Sequence, residues 1–310
     1  MVKQDQWTNR KVLVTGGSGF LGSHLCRRLC RLGAEVHATS RVHQPIREGG
    51  PIWWKINLAS LAELRTILSI HRPEVIYHLA GSVGASPDRD LVLPTFQSLL
   101  LTTINLLIIG TELGCRRIIL AGSLTEPKSQ DTYPTPSSPY AAAKWAASGY
   151  GRMFHSLYGT PCVVLIPFMT FGPGQHPQKL VPSVILSLLK GEVPQLTSGR
   201  WEADWVYVDD VVQGFIAAGE ARDVEGKTFD IGSGSKISVR SVVELLVRET
   251  GTHVTPAFGV LPDRPMEPIR VANAVHTRQQ LGWECTTMLE KGLRQTIDWY
   301  ATTLQAPSLP

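Results

Sequence analysis

Short apolar runs alternate with longer segments of helical periodicity through the first half of the chain. The runs are rich in Val, Ile and Leu and are bounded by turn residues, which is typical of buried strands. They fall at residues 11–14, 35–39, 75–79, 117–121 and 163–166. Helical spacing predicts helices over residues 21–32, 59–71, 99–113 and 140–158. This alternation predicts an α/β fold with a doubly wound parallel sheet that is covered on both faces.

The composition of the chain changes after Pro167, where Pro, Gly and Trp become more frequent. We therefore expect one domain over residues 1–166 and a smaller C-terminal lobe over most of residues 167–310. Segments 204–208 and 228–231 are strand-like, so residues 204–232 are expected to return to the sheet of the first domain.

A glycine-rich turn joins the first predicted strand to the first predicted helix. Gly16 would permit the tight turn, Gly19 the close approach of backbone to a pyrophosphate, and Gly22 close packing of helix on sheet. The helix start would present N–H groups to the phosphates. The context therefore predicts a Rossmann domain that binds a dinucleotide. The residues expected at this turn are Gly16, Ser18, Gly19, Phe20, Leu21 and Gly22.

The end of the second predicted strand indicates which dinucleotide is bound. An acidic residue there would bind the ribose hydroxyls of NAD, but this chain has Ser40 followed by Arg41. A hydroxyl and a guanidinium suit a 2′-phosphate, so NADP(H) is the preferred cofactor. In the alternative, Arg41 is a solvated loop residue and NAD(H) is also used.

Tyr140 and Lys144 stand four residues apart at the start of a predicted helix, so they share one face. A neighbouring ammonium and a bound nicotinamide cation would lower the pKa of the phenol and so favour proton transfer. Ser123 follows the fourth predicted strand and would supply a hydroxyl to the reacting oxygen. These three residues form the candidate catalytic centre.

Together these features resemble the extended short-chain dehydrogenase/reductase family, over about residues 10 to 300. The motifs that carry the resemblance are the glycine turn, His78-Leu79-Ala80, Tyr140 with Lys144, residues 205–211, Leu281-Gly282-Trp283 and residues 296–300. Most members of that family act on nucleotide-activated sugars as epimerases, dehydratases or ketoreductases, and many are dimers. The resemblance implies a homodimer through helices near 99–113 and 140–158, and a substrate-binding role for the C-terminal lobe.

The resemblance also implies roles for individual residues. Tyr140 would donate the proton to a carbonyl, Ser123 would polarise its oxygen, and Lys144 would also hold the nicotinamide ribose. Further cofactor contacts would come from Asn57, Leu58, Leu79, Ala80, Gly81 and Pro167. Substrate contacts would come from Ser82, Ser123, Leu124, Thr125, Met169, Arg200 and Arg270.

Some positions depart from the family pattern. Leu124 and Thr125 stand where dehydratases of the family carry an acidic pair, and Glu126 comes one place later. A shift of one residue in an extended segment turns a side chain to the other face, so dehydration is not expected. The family's Arg and Asn after the fifth strand, and its Arg before Asp204, are replaced by Ile166, Met169 and Ala203. These losses weaken the prediction of a nucleotide-sugar substrate, whereas Arg270 matches a diphosphate-binding Arg.

Composition excludes several other classes of protein. The net charge is +4 without a basic run, which argues against a nucleic-acid partner. The polar N-terminus lacks the pattern of a signal peptide, and the apolar stretch 99–110 is judged too short and too polar to span a membrane. A cytoplasmic protein with five free thiols and no metal site is therefore expected. His78 is interpreted as a packed strand residue and Asp209-Asp210 as a helix cap.

Three functions are considered. The preferred hypothesis is an NADPH-dependent reductase that converts a 4-keto (6-deoxy) nucleotide sugar. The alternative is a nucleotide-sugar 4-epimerase that retains NAD, against which Ser40-Arg41 argues. A non-catalytic dinucleotide sensor is the third, and the intact set of Ser123, Tyr140 and Lys144 argues against it.

Overall fold

A computed structural model describes residues 6–84, 86–127, 133–263 and 269–305. The chain divides into two compact units. The first unit contains Met1–Pro167, Val212–Asp230 and His276–Trp283. The second contains Phe168–Val211, Ile231–Val275 and Glu284–Pro310.

The strands of the described residues are β1 (Lys11–Thr15), β2 (Glu35–Ser40), β3 (Ile52–Lys55), β4 (Val75–His78), β5 (Arg117–Ala121), β6 (Cys162–Pro167), β7 (Met169–Phe171), β8 (Glu202–Ala203), β9 (Trp205–Tyr207), β10 (Thr228–Ile231) and β11 (Ile237–Ser238). The helices are α1 (Phe20–Arg31), α2 (Leu61–His71), α3 (Val92–Thr95), α4 (Thr102–Glu112), α5 (Pro139–Tyr158), α6 (Leu180–Leu189), α7 (Val208–Glu220), α8 (Val239–Thr250), α9 (Ala274–Leu281) and α10 (Leu289–Gln305).

The main sheet has seven strands within the described residues, in the order β10-β6-β5-β4-β1-β2-β3. Every adjacent pair of strands from β6 across to β3 is parallel. The carboxyl ends of these strands therefore lie at the same end of the sheet. The order reverses between β1 and β4, which is where ligands bind in doubly wound sheets. The predicted fold class is confirmed. The edge strand β3 was not predicted, because its apolar run of Ile52, Trp53 and Trp54 is short and its side chains are partly or fully exposed.

The expected return of residues 204–232 to this sheet holds for only one of the two strand-like segments. β10 lies at the edge of the main sheet beside β6. β9 instead pairs in parallel with β7, through Met169 opposite Trp205 and Phe171 opposite Tyr207. Apolar strands this short carry no signal for their partner, so the sequence could not distinguish the two cases.

The helix expected over residues 99–113 begins earlier than predicted. A 3-10 turn, α3 and a π-helical turn (Phe96–Leu101) precede α4, so helical structure runs from Arg89 to Glu112 without interruption. This run of 24 residues is long and apolar enough to cross a membrane, which corrects the judgement that the segment is too short. The core helix of a folded protein meets the same criterion. α4 packs beside α2 and α5, and its Leu106, Leu107 and Ile109 are fully buried.

Candidate active site

Helix α5 carries two of the three predicted catalytic residues in its first turns. Ser138 caps the helix by accepting a hydrogen bond from the N–H of Ala141 at 3.2 Å, and Pro139 takes the first helical position. Gly159 ends the helix in the left-handed conformation, with φ of 67°. These local signals fix where the helix begins, so Tyr140 and Lys144 lie one turn apart near its N-terminus.

Ser123 follows β5 and meets Tyr140 through their side chains. The Ser123 hydroxyl hydrogen bonds with the Tyr140 phenol and, at 2.9 Å, with Thr125 Oγ1. It also accepts the N–H of Thr125 at 3.2 Å. The structure thus brings Ser123 and Tyr140 together, as a centre that transfers a proton requires.

Lys144 lies almost fully buried beside the same strand end. Its Nζ donates a hydrogen bond to the carbonyl of Ala121 at 2.7 Å. Burial lowers the Lys144 pKa to about 8, and nearby Glu126 partly opposes that shift. The Lys144 ammonium is therefore close to its titration point at neutral to mildly alkaline pH.

The protein surroundings of Tyr140 raise its pKa, and the lowering expected from the sequence requires a bound nicotinamide cation as well as the ammonium. Burial is the main cause, and the negative charge of Glu126 adds to it, whereas the hydrogen bond with Ser123 acts in the opposite direction. The spacing in the sequence indicated that the Lys144 ammonium lies near Tyr140. It could not show that the surroundings of the half-buried phenol oppose the phenolate. Tyr140 is accordingly held as a neutral phenol, the form that can donate a proton.

Glu126 does not take the place of a dehydratase acid. Its Oε1 accepts the backbone N–H of Ser123 at 2.6 Å and the hydroxyl of Ser148 at 3.1 Å. The carboxyl group is buried, and burial raises its pKa against those two hydrogen bonds and nearby cations. Glu126 was not predicted as a site residue, although the spacing Ser-x-x-Glu is that of a capping box and could have indicated the contact with the Ser123 N–H.

The glycine turn has the close packing that a pyrophosphate site needs. Gly16 has φ of 69°, and a Cβ there would lie 2.8 Å from the backbone of Ala80. A Cβ on Gly22 would lie 2.2 Å from the carbonyl oxygen of Gly16. Gly19 caps α1 without a side-chain hydrogen bond, so the first N–H groups of the helix are not used by a cap. These residues fit the pyrophosphate of a dinucleotide.

A buried histidine links this turn to the end of β4. The Thr103 hydroxyl donates to the Leu99 carbonyl at 2.6 Å, so it must accept from His78 Nε2, which lies 3.0 Å away. His78 Nδ1 then accepts from the Thr15 hydroxyl at 2.7 Å. Burial lowers the His78 pKa to about 3, with Lys144 adding to the shift, so the ring is neutral.

Thr15 connects this chain of hydrogen bonds to the backbone beside the glycine turn. Its Oγ1 accepts the N–H groups of Leu79 and Ala80, each at 3.2 Å. Leu79 and Ala80 are half-buried, and Gly81 and Ser82 beyond them are exposed. The interpretation of His78 as a packed residue did not anticipate these two hydrogen bonds.

Ser40 ends β2 next to the glycine turn. Its buried hydroxyl lies 3.2 Å from Ser18 Oγ, which donates to it. The N–H of Val42 and the Nε2 of Gln44 also donate to Ser40 Oγ, at 3.2 Å and 3.3 Å. Arg41 is exposed. The position where NAD-binding relatives would carry a carboxylate therefore presents a hydroxyl and an adjacent guanidinium.

The remaining predicted residues of the first unit are placed as follows. Phe20 and Leu21 open α1 and are half-buried. Asn57 is exposed and accepts the N–H of Ala59 at 3.1 Å, whereas Leu58 is buried. Leu124 is half-buried in the turn after Ser123, and Pro167 ends β6.

Three predicted substrate residues lie in the second unit. Met169 begins β7, and Arg200 is exposed ahead of β8. The Arg270 guanidinium lies 5.7 Å from the centre of the Phe168 ring. Asp204 holds this region: it accepts the N–H groups of Ser233, Gly234 and Ala272 at 2.7, 2.9 and 3.0 Å.

The Asp209-Asp210 pair, interpreted from the sequence as a helix cap, lies at the start of α7, in its first turn. Asp210 accepts the N–H groups of Thr286 and Thr287, at 3.2 Å and 3.0 Å, and thereby holds the segment that precedes α10. Among the residues that the structure describes, no cluster of His, Cys, Asp and Glu could hold a metal ion.

The chain is similar to known proteins over nearly its whole length. UDP-glucose 4-epimerase of Mycolicibacterium smegmatis is 29% identical in an alignment of 325 positions, which covers 95% of this chain and 100% of that protein. dTDP-glucose 4,6-dehydratase of Xanthomonas campestris pv. campestris is 28% identical in an alignment of 331 positions, which covers 94% of this chain and 93% of that protein. A solved structure of MoeE5 in complex with UDP-glucose and NAD has a TM-score of 0.84 and 29% identity, covering 95% and 100%.

A family model agrees with these relatives over most of the chain. The model described as the NAD dependent epimerase/dehydratase family matches residues 12–232. The chain therefore belongs to this family of enzymes, which confirms its resemblance to the extended short-chain dehydrogenases/reductases.

Proposed function

We propose that the protein is an NADPH-dependent reductase of a 4-keto (6-deoxy) nucleotide sugar. The observation that carries the cofactor preference is the end of β2, where Ser40 and Arg41 replace the acidic residue expected for NAD. Ser40 Oγ lies 3.2 Å from Ser18 of the glycine turn, so a 2′-phosphate would meet hydroxyls of both residues and the Arg41 guanidinium.

The residues of α5 and the β5 turn would perform the proton transfer. Bound NADPH would supply a hydride to the carbonyl carbon of the sugar. Tyr140 would donate its phenolic proton to the carbonyl oxygen, and Ser123 would hydrogen bond to the same oxygen. The Lys144 ammonium would stabilise the phenolate that Tyr140 leaves behind and would hold the nicotinamide ribose.

The substrate class is proposed from the relatives and from the residues of this chain that could bind a diphosphate or act as an acid. MoeE5 was solved with UDP-glucose, and this chain has Arg200 and Arg270 in its second unit as candidate partners of a diphosphate. Leu124 and Thr125 provide no acid, and the carboxyl group of Glu126 is bonded to Ser123 and Ser148. Reduction is therefore favoured over dehydration.

A nucleotide-sugar 4-epimerase is the second candidate. The relative from M. smegmatis is a UDP-glucose 4-epimerase, and MoeE5 was solved with NAD. An epimerase would use the same Ser123, Tyr140 and Lys144, first to accept a proton and then to return it. Its tightly held NAD would have to bind without a carboxylate at the end of β2.

Nucleotide 4-keto-6-deoxyhexoses test the two candidates directly. The absorbance of NADPH, and separately of NADH, would be followed during turnover. A reductase oxidises one NADPH for each sugar reduced, and Tyr140→Phe is expected to lower kcat by at least about a thousandfold with little change in NADPH affinity. Interconversion of ordinary nucleotide sugars by protein that retains NAD, without net oxidation, would instead identify an epimerase.

We also propose that the protein acts in the cytoplasm as a homodimer. The outward stripe of α5 is apolar and uncharged at helical spacing, which suits contact with a second copy. It consists of Ala142, Ala146, Gly149, Tyr150, Met153 and Leu157. α4 can contribute less surface to the proposed dimer than expected, because most of its residues are buried within the chain.

A further inference from the structure

A carboxylate lies directly behind the candidate catalytic residues, in the turn that follows β5. The N–H of Glu126 donates to the carbonyl of Ser123 at 3.1 Å, and Glu126 Oε1 accepts the N–H of Ser123 at 2.6 Å. The two residues thus bond to each other in both directions. The bond from the Ser123 N–H to the carboxylate is the one that a capping box makes, whereas the Glu126 N–H bonds to the Ser123 carbonyl and not to its hydroxyl. This pair of bonds sets the backbone that carries the Ser123 hydroxyl.

The protein provides a specific space for this carboxyl group. Glu126 is only 9% exposed. A Cβ on the preceding Gly122 would lie 2.6 Å from Glu126 Oε1 and 2.4 Å from Ile166 Cδ1. Any larger residue at position 122 would therefore displace both the carboxyl group and the Ile166 side chain. Burying a carboxylate carries a large desolvation cost, which hydrogen bonds and nearby cations must offset.

The same carboxyl group connects the turn to the catalytic helix. Ser148 Oγ donates to Glu126 Oε1 at 3.1 Å. Ser148 lies one helical turn beyond Lys144, whose Nζ donates to Ala121 at 2.7 Å. Helix α5 is therefore tied to the end of β5 at two successive turns, and the Glu126 bond is the one that also holds Ser123.

The charge of Glu126 acts on both titrating groups of the candidate centre. It raises the pKa of Lys144 and that of Tyr140, because a nearby anion stabilises an ammonium and opposes a phenolate. Burial raises the pKa of Glu126, and Arg152, also on α5, and Lys144 partly oppose that rise. From β4, His78 faces Lys144, and the ammonium lowers the His78 pKa.

We infer that Glu126 is a positioning residue for the reaction: its carboxylate ties the Ser123 backbone to helix α5, which places the Ser123 hydroxyl beside Tyr140 and a negative charge near Lys144. The inference rests on the proposed function in taking these three residues as the catalytic centre. The effect of this buried carboxylate on the protonation of Lys144 can be measured without a substrate.

Carbon-13 labelling of the lysine Cε atoms measures the protonation of Lys144 by nuclear magnetic resonance. The Lys144 signal is assigned as the one missing from Lys144→Arg, and its midpoint in the wild type is expected near its pKa of about 8. Glu126→Gln keeps the shape of the side chain and removes its charge, so the midpoint should fall by about one pH unit.

Glu220→Gln is the matched control. Glu220 is another half-buried carboxyl group and is hydrogen bonded to Trp7, ahead of β1 at the opposite edge of the sheet. This variant should leave the Lys144 midpoint unchanged. An unchanged midpoint in Glu126→Gln, or an equal shift in Glu220→Gln, would overturn the inference.

Turnover tests the positioning role separately. Glu126→Gln retains an oxygen that can accept the Ser123 N–H, so its kcat at its own optimum should stay within about threefold of wild type, whereas Glu126→Ala should lose about a hundredfold. The pH profile of Glu126→Gln should move to lower pH by about one unit, since both pKa values fall. Equal losses in the two variants, with no shift of the profile, would contradict the positioning role.

The two experiments separate failure of the inference from failure of the proposed function. If the wild type turns over no nucleotide sugar but its Lys144 midpoint falls in Glu126→Gln, the reductase proposal is wrong and the effect of Glu126 on Lys144 stands. If the wild type is active and the midpoint stays fixed, the inference alone is wrong.

Discussion

Two neighbouring residues at the end of β2 carry the proposed cofactor preference. Ser40 is buried and accepts three hydrogen bonds, from Ser18, Val42 and Gln44, so its hydroxyl is held in place. Arg41 is exposed and has its full side chain available for a phosphate. A guanidinium binds a phosphate through two parallel hydrogen bonds and gains little from a ribose hydroxyl.

Arg41→Ala is therefore expected to raise the Kd for NADPH by at least about tenfold and that for NADH by less than about twofold. Binding is measured by cofactor fluorescence or calorimetry at fixed ionic strength. Arg47→Ala is the control, because Arg47 is also exposed, lies in the same loop and carries the same charge. Equal losses for the two cofactors in Arg41→Ala would remove the argument for a 2′-phosphate.

Residues were predicted well where their signal was local, and less well where their partners are distant in the chain. Ser123 was predicted as the hydroxyl that accompanies Tyr140 and Lys144, and its side chain interacts with that of Tyr140 in the structure. Glu126 was set aside because its position in an extended segment seemed wrong. The segment is a turn, and its side chain reaches back to Ser123 instead of pointing to the opposite face.

Helix α5 has two functional faces at the scale of the element. Tyr140, Lys144 and Ser148 follow one another at four-residue spacing and face the end of β5. The exposed apolar stripe that includes Tyr150 lies on a different face. A single helix can therefore carry catalytic residues and a contact with a second copy.

Tyr150→Asp is expected to convert the proposed dimer to monomers, because it places a charge in an apolar contact. Analytical ultracentrifugation over a range of concentrations gives the mass in solution. Val260→Asp is the control, since Val260 is a 57% exposed apolar residue of the second unit. A wild-type protein with the mass of one chain at all concentrations would show that the stripe forms no dimer.

At the scale of the whole molecule, the buried histidine of β4 links stability to pH. His78 is neutral in the fold because burial lowers its pKa to about 3, whereas the pKa of a histidine in the unfolded chain is near the ordinary value of 6.5. Between these two values the unfolded state binds the additional proton. The free energy of unfolding should therefore decrease as the pH falls from about 6.5 towards 3.

His78→Asn removes that titration while retaining an acceptor for Thr15. The pH dependence of the free energy of unfolding, measured by urea denaturation between about pH 4 and 6, should become shallower by about 1.4 kcal/mol per pH unit. His43→Asn, at an exposed position, should leave the dependence unchanged. If His78→Asn has the same slope as the wild type, the imidazole is not held neutral in the fold.

The sequence by itself determined the alternation of strands and helices, the glycine turn, and the spacing of Tyr140 and Lys144. These features depend on residues close together in the chain, so backbone sterics, capping and periodicity specify them. Only the tertiary structure decided which strands pair, such as β9 with β7, and which polar groups are buried together.

Hydrogen bonds between distant segments show the same division. Glu126 with Ser148, His78 with Thr103, and Asp204 with Ala272 each join residues at least 22 positions apart. No local pattern encodes such contacts, because they form only when packing excludes water and each buried polar group must find a partner.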